Sequence, residues 1–206
     1  MNRLLIKDII IINEGVRTSG DIYIEGELIK EIGANLKHDK GIKIIDGNGR
    51  IAIPGMIDDQ VHFREPGLTH KGNISTESKA AIAGGVTSYF EMPNTFPNTT
   101  SRKEFEKKIQ IASKNSFANF SFMFGGTNDN IDEIKKLDHK EVAGIKLFLG
   151  SSTGKMLIDN QDSIENIFNN TSLPISAHCE DEQTIKHNTE YFKNLYGDDI
   201  PISAHP

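Results

Sequence analysis

Apolar and polar positions alternate in short runs over the first fifty residues, at 4–7, 9–13, 21–25, 28–32 and 42–45. β-Branched residues on alternate positions, with turn pairs such as Asp46-Gly47 and Asn48-Gly49 between the runs, predict short strands joined by tight turns. We read residues 1–53 as a small β module. At Ile53-Pro54-Gly55-Met56 the rhythm changes. Runs at 56–62, 86–92, 119–124, 142–149 and 174–178 predict five further strands. Helical patterns lie between them at 76–84, from Ser101 onward, at 130–137, at 161–169 and after Asp181. The pair Gly84-Gly85 ends the first helix, Ser101 and Glu104 have capping-box spacing, and Phe105, Ile109 and Ala112 recur on one helical face. Strand and helix alternate as in α/β proteins with a parallel sheet, so residues 54–206 form a second, βα domain.

Composition narrows the functional classes. The chain has 206 residues, 36% of them hydrophobic and 25% charged, which suits a globular protein able to bury its own core. The formal charge of -6 is not gathered into blocks, and no basic stripe marks a nucleic-acid partner. A small anionic substrate held by one or two local cations remains open. Cys179 has no second cysteine to pair with, and no leader pattern opens the chain, so a cytoplasmic location is expected. No apolar run approaches the ~20 residues of a membrane span.

The residues with chemical potential fall at the carboxyl ends of the predicted βα strands: His62 and Arg64, then Asn94, Lys146 and His178. At that edge of a βα barrel each strand can lend a side chain to one mouth. Lys146, inside the apolar run Gly144-Ile145-Lys146-Leu147-Phe148, is costly to bury as a lone ammonium. It is either a lysine paired with an acid or solvent, or one carboxylated by carbon dioxide so that two oxygens can bridge divalent metals. His178 is either a metal ligand or a packing residue. Strand alternation would place Asp58, Gln60, His62 and Arg64 on one face. Arg64 offers a planar fork suited to a carboxylate, or a rim salt bridge to Glu65 or Asp58. Asn94 either begins a turn or presents its amide to the same carboxylate. His38, His70, His139 and His187 sit in polar stretches and read as surface residues.

Taken together, His62-Phe63-Arg64-Glu65-Pro66-Gly67, Ala83-Gly84-Gly85-Val86-Thr87, Met92-Pro93-Asn94-Thr95, Gly144-Ile145-Lys146-Leu147-Phe148 and His178-Cys179-Glu180-Asp181 resemble the amidohydrolase superfamily, and within it the long-chain bacterial dihydroorotases. The resemblance covers essentially the whole chain. It implies a TIM (β/α)8 barrel, here incomplete at about five βα units, preceded by part of a composite β-sandwich. It also implies a zinc-dependent hydrolysis of a cyclic amide, interconverting dihydroorotate and N-carbamoyl-L-aspartate in pyrimidine biosynthesis, by an enzyme that forms homo-oligomers. Carried over by position, His62, Lys146 and His178 are metal ligands, with Lys146 carboxylated. Arg64 and Asn94, beside His62, hold the substrate carboxylate.

Two departures accompany the resemblance. Gln60 stands where the family has its first metal-binding histidine, and an amide oxygen is a poorer zinc ligand than an imidazole. The chain also stops short of a full barrel, so the general acid/base aspartate is expected beyond residue 206 and the 206-residue chain is expected to be inactive alone. Two rival readings stand beside the dihydroorotase one. In the first, a non-catalytic homologue serves as a binding or scaffold subunit. In the second, the protein is a hydantoinase- or allantoinase-type cyclic amidase.

Overall fold

The computed structural model describes residues 2–150 and 156–204. The chain divides into two compact units, Met1–Gly55 and Met56–Pro206.

The first unit is a mixed sheet of β1 (Arg3–Asn13), β2 (Val16–Glu25), β3 (Leu28–Gly33), β4 (Lys43–Asp46) and β5 (Ile51–Ala52). Its order is β3-β2-β1-β4, with β5 also on β1. The hairpin partners β1, β2 and β3 run antiparallel, whereas β4 and β5 lie parallel to β1. Two details differ from the sequence reading. The runs at 4–7 and 9–13 are one strand, broken only by a bulge at which Asp8 takes φ 52° and the register shifts between Ile6 and Ile9. The buried Asp21 carboxylate holds that bulge, accepting the Asp8 N–H at 3.1 Å and the Leu36 N–H at 2.9 Å. Strand β2 also begins at Val16, ahead of its apolar run, because residues 16–20 pair with residues 9–13 of β1. Backbone pairing there outruns the hydrophobic pattern.

The second unit alternates β6 (Met56–Val61), α1 (Ile74–Ala83), β7 (Val86–Glu91), α2 (Arg102–Asn115), β8 (Asn119–Gly125), α3 (Ile131–Ile134), β9 (Gly144–Phe148), α4 (Gln161–Asn170), β10 (Ile175–His178) and α5 (Glu182–Tyr196). The five strands are all parallel, in the order β10-β9-β8-β7-β6. Spatial order follows chain order, so each crossover advances one place and, with the usual right hand, lays its helix on the same face. A doubly wound sheet would reverse direction midway.

The register assigns the two faces. Tyr89, Glu91, Phe122, Phe124, Ile145 and Leu147 share one face. The apolar members of that set form the core with Phe105 and Ala112 of α2, Ile134 of α3 and Ile167 of α4. Lys146 lies on the opposite face, level with Gly125 and Ser176.

Local chemistry sets the helix starts. Asn73 caps α1 in a reciprocal box with Thr76, which places the helix start two residues ahead of the periodic run. Ser101 caps α2 through the Glu104 N–H, but the return half of the expected box is missing, because the Glu104 carboxylate pairs with Lys107 at 3.3 Å. Glu133 supplies another acceptor, for the Arg102 N–H at 2.8 Å. The helix expected over 130–137 shrinks to Ile131–Ile134, since the Asn130 amide does not cap it but donates to Thr100 O and Gly125 O.

Phe122 is fully buried, in ring contact with Phe105 and Phe120. Phe122→Ala is therefore expected to cost about 3–5 kcal/mol. Urea unfolding of the intact protein checks this, as a lower midpoint at unchanged slope.

Candidate active site

The carboxyl edge of the parallel sheet gathers the polar side chains. His62 and Arg64 follow β6, Asn94 follows β7, Lys146 sits within β9 and His178 closes β10. His62 Nδ1 lies 2.9 Å from Asn94 Oδ1. An amide oxygen only accepts, so Nδ1 carries the hydrogen and Nε2 keeps its lone pair. Burial first, then the neighbouring Arg64 charge, push the His62 pKa below its ordinary value. The imidazole is neutral at pH 7 and is a lone-pair donor.

Lys146 is only 3% exposed, and its Nζ lies 3.4 Å from Gln60 Oε1. Burial lowers its pKa, which favours the neutral amine. No carboxylate is ion-paired with it among the described residues, so the acid-paired reading of Lys146 does not hold. Its ammonium position sits instead over the Phe148 ring, 5.4 Å from the centroid.

Arg64 adopts a left-handed backbone, φ 69°, and its N–H donates to Glu91 Oε1 at 3.0 Å. Its Nη1 is buried with no hydrogen-bond partner among the described residues. The two acids that might have formed a rim salt bridge are committed elsewhere. Asp58 turns back to accept the Gln60 N–H at 3.1 Å, and Glu65 accepts the Ile74 N–H at the start of α1 at 2.8 Å. The register shift between Asp58 and Val61 also breaks the alternation that would have put Asp58, Gln60, His62 and Arg64 on one face.

The loops carrying Arg64 and Asn94 are laced together. Phe96 N–H donates to Pro66 O at 3.0 Å, and Gly67, at φ 85°, lies so close to Phe96 that a Cβ would overlap the Phe96 carbonyl. His178 is half-exposed at the end of β10, its ring 6.4 Å from that of Phe148 and its Nε2 3.2 Å from Glu180 Oε1. His38, His70, His139 and His187 are exposed, and His205 lies outside the described residues.

Whether these groups suit a metal depends on Lys146. Among the described residues no three of His, Cys, Asp and Glu come together as a cation cage. The unmodified side chains therefore do not fit a divalent ion by themselves. A carbamate on the buried Lys146 amine would add two oxygens sharing one negative charge near His62, and that donor set suits zinc.

Two polar residues at this edge escaped the sequence reading. Glu91 and Lys108 form an ion pair of 2.5 Å, with side chains 1% and 0% exposed. The signal was present, because Lys108 sits three residues after Phe105 and four before Ala112, on the buried stripe of α2. A charge on an apolar stripe asks for a partner.

This is an α/β protein whose candidate site lies at the carboxyl edge of a sequentially wound parallel sheet. Residues 49–194 match the family described as Dihydro-orotase-like, and the chain belongs to that family. It is 38% identical over 166 residues to a dihydroorotase of Methanosarcina mazei, covering 79% of this chain and 36% of the relative. It is 32% identical over 186 residues to an allantoinase of Desulfitobacterium hafniense, covering 86% of this chain and 40% of the relative. The L-hydantoinase (dihydropyrimidinase) structure from Arthrobacter aurescens superposes with a TM-score of 0.89 at 26% identity, covering 99% of this chain and 46% of that one. The chain thus spans less than half the length of these relatives. Among the described residues no helix is long and apolar enough to cross a membrane.

The lowered His62 pKa carries a sign. Its native pKa lies below the ordinary 6.5, so the unfolded chain binds the proton more readily. Stability is then lost as pH falls from about 6.5 towards the native pKa. A histidine NMR titration should place the His62 midpoint below 6.5, and replacing His62 should flatten the fall in stability over that window.

Proposed function

We propose that the protein is a cyclic amide hydrolase of the dihydroorotase type, interconverting dihydroorotate and N-carbamoyl-L-aspartate in pyrimidine synthesis in the cytoplasm. The five parallel strands are then the first part of a (β/α)8 barrel, and the mixed sheet is part of a β-sandwich that accompanies it. The observation that carries this reading is Arg64. Its guanidinium has a buried Nη1 with no hydrogen-bond partner among the described residues, next to the His62–Asn94 pair, where an anionic ligand would supply the missing acceptors. A carboxylate bound there is held by a planar fork and oriented by the Asn94 amide. The ring amide is then presented to the part of the edge that holds His62 and Lys146.

His62, a carboxylated Lys146 and His178 would hold zinc, which when bound supplies Lewis-acid polarisation of the amide carbonyl. Gln60, beside the Lys146 amine, would hydrogen-bond the carbamate rather than replace a histidine as a full ligand. The chain's own contribution is placement. Neutral His62 offers a lone pair, and burial shifts Lys146 towards the free amine that reacts with carbon dioxide. A hydantoinase- or allantoinase-type activity suits the fold equally well, but an uncharged ring leaves Arg64 without a counter-ion. Gln60 favours one further reading, a homologue that binds without catalysing.

The test uses the intact protein. Arg64→Ala is expected to raise KM for dihydroorotate about 100-fold with kcat little changed, since the carboxylate is remote from the reacting bond. An unmoved KM would end the carboxylate reading. Zinc content and native mass measured on the same sample decide the rest. Bound zinc with a carbon dioxide increment on Lys146 supports catalysis, and neither being present favours the non-catalytic homologue.

A further inference from the structure

Lys108 is, with Glu91, among the most deeply buried charges of the described residues, and neither has a role in the function proposed so far. Its side chain is 0% exposed and its Nζ contacts three oxygens: it is ion-paired with Glu91 Oε2 at 2.5 Å and donates hydrogen bonds to Met92 O at 2.9 Å and Thr99 Oγ1 at 3.3 Å. The Phe122 ring closes the pocket, 5.2 Å from Nζ.

Each of those three contacts leads to a proposed substrate-binding residue. The other oxygen of Glu91 accepts the N–H of Arg64, the residue held at φ 69°. Met92 O lies two residues before Asn94. Thr99 closes the loop that carries Asn94, its N–H donating to Pro93 O at 2.9 Å. The loop after β6 and the loop after β7 are thus tied to a single atom of α2.

A buried ion pair is weak as a stabilising device, because apolar side chains of similar volume fill such a space without desolvating two charges. What an apolar pair cannot do is fix the backbone of two loops. We infer that the Lys108–Glu91 pair is a positioning device, which sets Arg64 and Asn94 at the separation needed to grip one carboxylate. The inference rests on the carboxylate-binding reading of those two residues. Burial pushes the Lys108 pKa down and the Glu91 pKa up, against the attraction between them, so the pair is under electrostatic demand from both sides.

The experiment measures the dissociation constant for dihydroorotate, with KM and kcat, on the intact protein. In E91L/K108M both charges are replaced by apolar groups, which preserves packing while removing the acceptor for Arg64 N–H and the donor to Met92 O. Its dissociation constant is expected to rise about 10-fold or more, as misplacement of binding groups by a fraction of an ångström produces, with kcat within about 3-fold. A role in stability alone would lower the folded fraction, and so the apparent kcat, without moving KM. An unchanged dissociation constant in the folded double variant overturns the inference.

Lys108→Arg keeps the charge but not the single-point reach, and a rise of about 3-fold or more is expected. Should the double variant fail to fold, that value decides, and no change overturns the inference. Arg64→Ala separates the two levels. If it leaves affinity unchanged, the carboxylate reading fails and the inference with it. If it weakens binding while E91L/K108M does not, only the positioning role fails. Combined in one protein, the Arg64 and pair substitutions should weaken binding by less than the product of their separate effects, because they act through the same contact.

Discussion

A parallel sheet obliges the chain to return to the same edge after every crossover, and the second unit is organised by that constraint. Five strands in chain order deliver five loops to one edge. Because α1 to α4 pack against one face, the opposite face is left to carry Lys146 and the side chains level with it. Nothing about the chemistry of His62 or Lys146 dictates this layout. The winding does, and the polar residues use the edge it creates.

The same layout explains why charge is distributed as it is. The helix-facing side of the sheet is a packed layer of Tyr89, Phe122, Phe124, Ile145 and Leu147, where a lone ion could not be tolerated. Glu91 and Lys108 enter that layer only together. The face bearing Lys146 admits a solitary amine because burial there favours its neutral form, in contact with the Gln60 amide and the Phe148 ring. Two buried lysines, in β9 and α2, thus meet the desolvation problem differently. Burial lowers the pKa of both, but only Lys108 has a carboxylate ion-paired with it among the described residues.

Much of the fold was legible because the period of the apolar residues is a local property. The strands and most helices of the second unit follow it, and Ser101 and Asp181 mark helix starts through caps that follow from residue type, whereas the Asn73 cap sets the start of α1 ahead of the periodic run. What escaped depends on partners distant in sequence. The bulge at Asp8 needs Asp21, the start of β2 needs the far end of β1, and the shortening of α3 follows from Asn130 bonding to two strand ends. The site divides in the same way. His62, Arg64, Asn94 and Lys146 carry a readable residue type at a strand end, and the structure brings His62 to Asn94 and Lys146 to Gln60. Lys108 was hidden inside a helix whose other buried positions are apolar, and its meaning appears only when Glu91, Met92 and Thr99 converge on it.

The shared burial of Glu91 and Lys108 also constrains how this chain can change. Replacing either residue first leaves the other as an isolated ion in an apolar layer, an intermediate that costs about 3–5 kcal/mol, a large fraction of a typical domain's stability. A chain that carries the pair is therefore held to it against single substitutions. Escape requires both codons to change nearly together, or a prior gain in stability elsewhere that lets the lone charge be carried for a time. The loops gripped by that ammonium share the constraint, so a change of ligand preference in this chain is cheaper at the side chains the loops carry than in the scaffold that aims them.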